Sequence, residues 1–327
     1  MHGRINFAIF NEALIKPVSV LMMIATVLSL VAVFSSGCGK SPEQKSSSKI
    51  VAFVSILPQK YFVDRIGGEY VDVHVLVGPG QSPETYEPTP RQMSALSEAN
   101  VYFRIGVPFE NFMAGRVSST FKNLDIVDTQ KGIKRRMITG HDHGHDSSGG
   151  SPDPHIWLAP DLVRIQAKTI EETLSKLSPG HASRFRENLA RFDHDLDSVN
   201  AEIDSILAPY RGESIYAFHP AYGYFAAAYG LKQVSIEVGG KEPSAKQLSE
   251  VIGEMQQASN HVIFDQPQFS TKTAQTVADA IGGEVVPLDP LAEDYLTNLV
   301  QMARTIARVL PSAKTQSGDP GAEVGND

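Results

Sequence analysis

The sequence has a single cysteine, Cys38, in 327 residues, so it can form no internal disulfide and no thiolate cluster for a metal. It is also short of positive charge: 29 Lys and Arg against 37 Asp and Glu leave a formal net charge of −8 and a pI near 5.7. That balance argues against a basic nucleic-acid-binding surface and makes a cation the more natural partner. Three catalytic signatures are missing as well, since there is no His-Glu-x-x-His helix, no Walker A loop and no Gly-x-Ser-x-Gly elbow. Apolar material is plentiful, at 42% of the residues, and so is histidine, of which there are ten. The length exceeds the usual single-domain size, so two packed domains are expected. If that one cysteine is taken up elsewhere, any metal site must draw on nitrogen and oxygen.

Residues 1–38 differ from the rest. Arg4 and Lys16 precede an apolar run from Val18 to Phe34, which ends in Ser35-Ser36-Gly37-Cys38. The run is shorter than the roughly 20 apolar residues of a spanning helix and reads as a signal segment. Small residues before a cysteine resemble a bacterial lipobox, with Ser35 where that pattern usually has leucine. Cys38 is then the expected lipidation site, anchoring the chain to a membrane on its extracytoplasmic side, periplasmic or at the cell surface. Residues 39–48 have the composition of a flexible tether and residues 311–327 that of a disordered tail.

Between these ends the order of elements is βαβα, repeated. Strands are expected at Ile50 to Ile56, Val71 to Val77 and Val101 to Ile105, with helices from Tyr61 and over Thr89 to Ala99. In the second half, strands at Ser214 to Phe218, Gln233 to Val238 and His261 to Asp265 alternate with helices at Tyr222 to Tyr229 and Ser244 to Ala258. This order implies parallel sheets with crossover helices. Glu87-Pro88-Thr89-Pro90-Arg91-Gln92-Met93 is echoed by Glu242-Pro243-Ser244-Ala245-Lys246-Gln247-Leu248, and Asn100 before Val101-Tyr102-Phe103 by Asn260 before His261-Val262-Ile263-Phe264. The expected fold is therefore α/β, with two similar lobes at 49–180 and 210–310. Phe185, Leu189, Phe192, Leu196, Val199, Ile203 and Ile206 recur at spacings of four and three, which predicts a long helix over 181–209 joining the lobes as a stiff strut.

Four residues carry the candidate chemistry. His155 follows Pro152-Asp153-Pro154, and His219 stands at the end of the first strand of the second lobe, where ligands of parallel α/β folds bind. Glu84 follows the Gly78-Pro79-Gly80 turn, and Asp289 follows the strand Val285 to Leu288. The two carboxylates are expected on equivalent loops of the two lobes. Four N/O donors from four loops would close a coordination shell.

The combination of Pro83-Glu84-Thr85-Tyr86-Glu87-Pro88-Thr89-Pro90, Asp153-Pro154-His155-Ile156-Trp157-Leu158, Phe218-His219-Pro220-Ala221-Tyr222-Gly223-Tyr224 and Leu288-Asp289-Pro290-Leu291 resembles the zinc/manganese solute-binding proteins (cluster A-I) of bacterial metal ABC transporters. The resemblance covers about residues 49–310. It implies two lobes joined by a rigid helix, His155, His219 and Asp289 as metal ligands, and delivery of the ion to an ABC permease. One departure stands out: Glu84 occupies a position where the family typically has histidine. A carboxylate there brings harder oxygen character, which favours Mn(II) or Fe(II), whereas His155 and His219 favour zinc. Zinc leads, with manganese or iron as the alternatives.

His141, His143 and His145 lie in a His-rich loop at 140–150 whose composition is that of a soluble insertion or of a low-affinity metal collector. His74, His181, His194 and His261 read as structural or exposed. The expected protein is a monomeric, non-catalytic metal-capture protein that binds no nucleic acid. Two other roles stay open on the sequence: a metal-dependent hydrolase with Glu84 as general base, and a metal-binding surface adhesin.

Overall fold

The structure is a computed structural model, and it describes residues 49–113, 121–138, 151–237, 243–258 and 260–311. The signal segment with Cys38, the tether 39–48, the triad His141, His143 and His145 and nearly all of the tail lie outside the described residues.

The N-terminal lobe is built on β1 (Ile50–Val54), β2 (Val71–Val75), β3 (Val101–Arg104) and β4 (Asp125–Asp128), in the order β2-β1-β3-β4. All pairs are parallel, with Ile50 beside Val71 and Ala52 beside Val101. Strands β1 and β3 are almost fully buried because a parallel sheet is covered on both faces. Crossover helices α1 (Leu57–Gly67) and α2 (Pro90–Ser97) connect them. The α1-to-β2 turn needs glycine twice. A Cβ on Gly67 would collide with the Val71 side chain, and Gly68 sits at φ +54°. Helix α2 opens with a capping box: the Gln92 N–H donates to Thr89 Oγ1 at 3.3 Å, and the Thr89 N–H donates to Gln92 Oε1 at 3.0 Å.

Helix α3 (Pro160–Leu177) then leads into α4 (Ala182–Leu207), whose 26 residues span about 39 Å at 1.5 Å each. Its apolar stripe is buried at Phe185, Phe192, Leu196, Ile203 and Leu207. That face packs against α1, α3 and the last helix, α8 (Tyr295–Val309). Asn188 Nδ2 donates to the Ile66 carbonyl at 2.8 Å, fastening α4 to the end of α1.

The C-terminal lobe repeats the plan with β5 (Ser214–Ala217), α5 (Gly223–Ala228), β6 (Lys232–Ser235), α6 (Ala245–Met255), β7 (Val262–Asp265), α7 (Lys272–Ile281) and β8 (Glu284–Pro287). Its strand order is β6-β5-β7-β8, again all parallel. Helix α6 carries a second capping box, with the Gln247 N–H on Ser244 Oγ at 3.4 Å and the Ser244 N–H on Gln247 Oε1 at 3.0 Å.

Strand alternation divides the C-terminal sheet between two cores. Ile215, Ala217 and Phe264 face the main hydrophobic cluster, which continues through α3, α4 and α8 into the N-terminal lobe. Tyr216, Phe218 and Ile263 face a smaller cluster under α6 and α7. The lobes are thus fused by one continuous core, which leaves little freedom for a hinge. No described helix is long and apolar enough to cross a membrane.

Candidate metal centre

Glu84 is presented by a chain of small turns after β2. The Gly78 N–H donates to Gln81 Oε1 at 2.8 Å, Gly80 sits at φ +73°, and the Glu84 N–H donates to Ser82 Oγ at 3.2 Å. The carboxylate is about one quarter exposed.

His155 is fixed by Asp153, two residues earlier. A single carboxylate oxygen, Oδ1, takes the His155 backbone N–H at 2.9 Å and pairs with its Nδ1 at 2.7 Å. Asp153 is itself held, since its N–H donates to the Arg136 carbonyl and its own carbonyl accepts from Arg135 Nε and Tyr224 Oη. Pro154 between them restricts the backbone. With Nδ1 occupied, the ring offers Nε2.

His219 lies two residues beyond β5 instead of ending it, in a turn closed by the Ala221 N–H on the His219 carbonyl at 2.8 Å. Its Nδ1 pairs with Glu237 Oε2 at 2.7 Å. Glu237 arrives just past β6, the strand beside β5, and the Glu237 N–H bonds the Phe218 carbonyl. Again Nε2 is the nitrogen left to face outward, and it stands 3.9 Å from Glu84 Oε1.

One donor atom from each of Glu84, His155 and His219 lies within 4.8 Å of the others. The two imidazole rings meet edge to face with centroids 5.3 Å apart. Both histidines are buried, His155 at 4% and His219 at 5% exposure, and they share with Glu84 a cavity of about 10 Å³. Trp157, Phe269, Pro290 and Leu291 form its walls, and among the described residues no lysine or arginine lines it. A zinc ion with bonds of about 2.0–2.2 Å needs donors roughly 3.3 Å apart, so small side-chain movements would complete the contact.

Asp289 is not gathered with these three. Its Oδ1 accepts from Gln268 Nε2 at 2.7 Å and from the Leu291 N–H at 2.9 Å, and it faces a neighbouring cavity of about 190 Å³. The loop is nevertheless pinned across the lobes, because Trp157 Nε1 donates to the Pro290 carbonyl, Tyr222 Oη to the Leu288 carbonyl and Tyr295 Oη to the Trp157 carbonyl. Nor are the carboxylate loops equivalent: Glu84 follows β2 and Asp289 follows β8, which hold different places in their sheets. Sequence position relative to a strand did not reveal where that strand sits in its sheet.

Sequence reasoning missed Asp153 and Glu237 as the groups that orient the imidazoles. The first had a local signal, an aspartate two residues before the histidine it caps. The second had none beyond standing at a strand's carboxyl end. Near them Asp265 is buried, with Oδ2 lacking any hydrogen bond. Burial pushes its carboxyl up to about 6, the Glu237 charge pushes the same way, and the Gln266 backbone N–H partly opposes.

Two parallel-sheet lobes on one helical core, with nitrogen and oxygen donors from both meeting in one small cavity, define a two-lobed metal-binding receptor. Residues 52–309 match the family model of ZnuA, the periplasmic component A of the zinc-uptake complex, and the chain belongs to that family. A solved structure of ZnuA is 39% identical with a TM-score of 0.74, the match covering 80% of this chain and 99% of that one. The zinc-binding lipoprotein AdcA of Streptococcus pneumoniae R6 is 26% identical over 328 residues, covering 91% of this chain and 64% of AdcA, so the chain spans under two thirds of that relative's length. The laminin-binding protein Lmb of Streptococcus agalactiae, at 22% identity with a TM-score of 0.71, covering 80% of this chain and 99% of its own, shares the fold.

Proposed function

We propose that this protein captures one divalent transition-metal ion, zinc ahead of manganese or iron, in the cavity between its lobes and delivers it to the permease of an ABC importer. Glu84, His155 and His219 take the ion, and Asp289 completes the shell when its carboxylate leaves Gln268. The observation that carries this reading is the convergence of three donors from two lobes, with both imidazoles held by a carboxylate on Nδ1. Such a carboxylate–histidine pair fixes the ring and raises its basicity toward a metal on Nε2. Two imidazoles favour zinc, and the carboxylates extend tolerance to manganese and iron.

The lobes are 49–180 and 210–310, with 181–209 between them. The chain works as a monomer outside the cytoplasmic membrane, anchored through lipid on Cys38, and His141, His143 and His145 collect metal ahead of the cleft. Solute-binding proteins of this class work with a membrane permease and an ATPase, and binding without turnover is their task. The space among the three donors, about 10 Å³, is of the size of an ion, which favours capture over hydrolysis. The adhesin reading has no comparable support from a feature of this chain.

Thermal unfolding of the full chain in detergent tests the proposal. One ion at 100 times its Kd adds about 2.7 kcal/mol, which raises Tm by several degrees. No shift with zinc, manganese or iron at saturating concentrations would remove metal capture as the function.

A further inference from the structure

Of the three convergent donors, two have an orienting partner. His155 Nδ1 is paired with Asp153 and His219 Nδ1 with Glu237, each at 2.7 Å. Glu84 differs: its backbone N–H is anchored on Ser82, but the only contact described for its carboxylate is His219 Nε2 at 3.9 Å. A carboxylate that gives one oxygen to a metal leaves the other to be hydrogen-bonded, and ligating carboxylates are normally held in this way.

The same cavity holds a donor with nothing to donate to. Gln266 lines it together with Glu84, His155 and His219, is 4% exposed, and has a buried Nε2 with no hydrogen-bond partner. Its backbone is well fixed, with the N–H on Asp265 Oδ1 at 2.9 Å and the carbonyl accepting the Phe269 N–H at 3.1 Å. An amide N–H buried without an acceptor is costly and rarely kept without a use. We infer that Gln266 is a positioning residue for Glu84: when the ion binds, its Nε2–H donates to the Glu84 oxygen that is not on the metal.

This inference rests on Glu84 being a ligand. Its consequence is selectivity. Holding one oxygen away from the ion keeps Glu84 monodentate and the shell four-coordinate, which suits zinc. Releasing it lets the carboxylate bind through both oxygens and raise the coordination number, a geometry that manganese tolerates better.

The test is a double-mutant cycle on the full chain, with zinc and manganese affinities measured by competition against a chromophoric chelator. Gln266→Leu is expected to weaken zinc about 10–100-fold in the wild-type background, and less than about threefold when Glu84→Ala is already present. The zinc-to-manganese preference should fall in Gln266→Leu, and the visible absorption of its Co(II) form should lose intensity as four-coordination gives way to five. If Gln266→Leu does not fold, Gln266→Asn, whose amide stops one methylene short, carries the same comparison. An equal loss in both backgrounds with an unchanged Co(II) spectrum overturns the inference and leaves Glu84 as a ligand. Unchanged affinity in Glu84→Ala alone overturns the ligand assignment, and this inference with it.

Discussion

Each lobe places its first strand second in a four-stranded parallel sheet, β2-β1-β3-β4 in one and β6-β5-β7-β8 in the other. The loops at corresponding strand ends do different things. After β2 the chain presents Glu84 to the cavity, whereas after β6 it presents Glu237 to the back of His219. After β5 stands His219 itself, but after β1 stands Ser55, whose hydroxyl donates inward to Glu110. Glu110 also accepts the N–H groups of Ile105 and Gly106 beyond β3, while the end of β7 carries Asp265 and Gln266 with atoms unpaired. The N-terminal lobe closes its strand ends into an internal polar network. Its counterpart leaves Gln266 Nε2 beside the histidines and Asp265 Oδ2 nearby without partners. Similar scaffolds therefore differ at their central strands, one tying those strand ends together and the other leaving polar atoms there unpaired.

That contrast breaks most readily at Glu110. Burial pushes its carboxyl up, while the Ile105 and Gly106 N–H groups and the Ser55 hydroxyl oppose this. Glu110→Ala strands those donors in the interior and should cost about 3–5 kcal/mol in urea unfolding, with zinc affinity of the folded fraction unchanged. A comparable loss of affinity would mean that the network is not separate from the metal site.

The orienting carboxylates come next. Asp153→Ala and Glu237→Ala should each weaken zinc by about 10–100-fold in chelator competition. Asp153 also holds the His155 backbone N–H, so its loss should be the larger of the two.

A smaller effect belongs to Asp265 in the metal-free protein. Its folded carboxyl titrates at about 6, against about 3.9 for an unfolded aspartate. The folded state thus keeps a proton that the unfolded state has lost, so this group's stabilising contribution is complete below about pH 4 and disappears as pH rises through 6. Asp265→Asn should therefore stabilise the metal-free chain by on the order of 1–2 kcal/mol at pH 7.5 and by nothing at pH 3.5, as measured by urea titration across pH. The smallest difference is expected at the matched capping boxes, where Thr89→Ala and Ser244→Ala should each cost about 1 kcal/mol. Unequal costs there would show that the two lobes diverge even in their scaffolds.

Much of this organisation is legible in the sequence because it is local. The Ile50 to Val54 run, the stripe from Phe185 to Ile206 and the Thr89 and Ser244 helix starts are each set by residues near in sequence. Helix α3 is not among the expected elements although Val163, Ala167, Ile170 and Leu174 are buried at helical spacing and its signal is local. Strand β4, four residues at a sheet edge, offers too short a pattern to distinguish from a loop. The metal centre divides in the same way. The turns that carry His155 and His219 are marked by proline and by strand ends. Asp289 instead bonds Gln268, on a loop whose carbonyls are held by Trp157 and Tyr222, residues that lie far apart in sequence.

The central claim is a shell of two imidazole nitrogens and carboxylate oxygen drawn from both lobes. Zinc-edge X-ray absorption of the loaded full chain tests it most directly. The account predicts two imidazole ligands with the remaining scatterers oxygen at about 2.0–2.2 Å, and loss of one imidazole in each of His155→Ala and His219→Ala. A spectrum with no imidazole scattering, or one left unchanged by both substitutions, would contradict it.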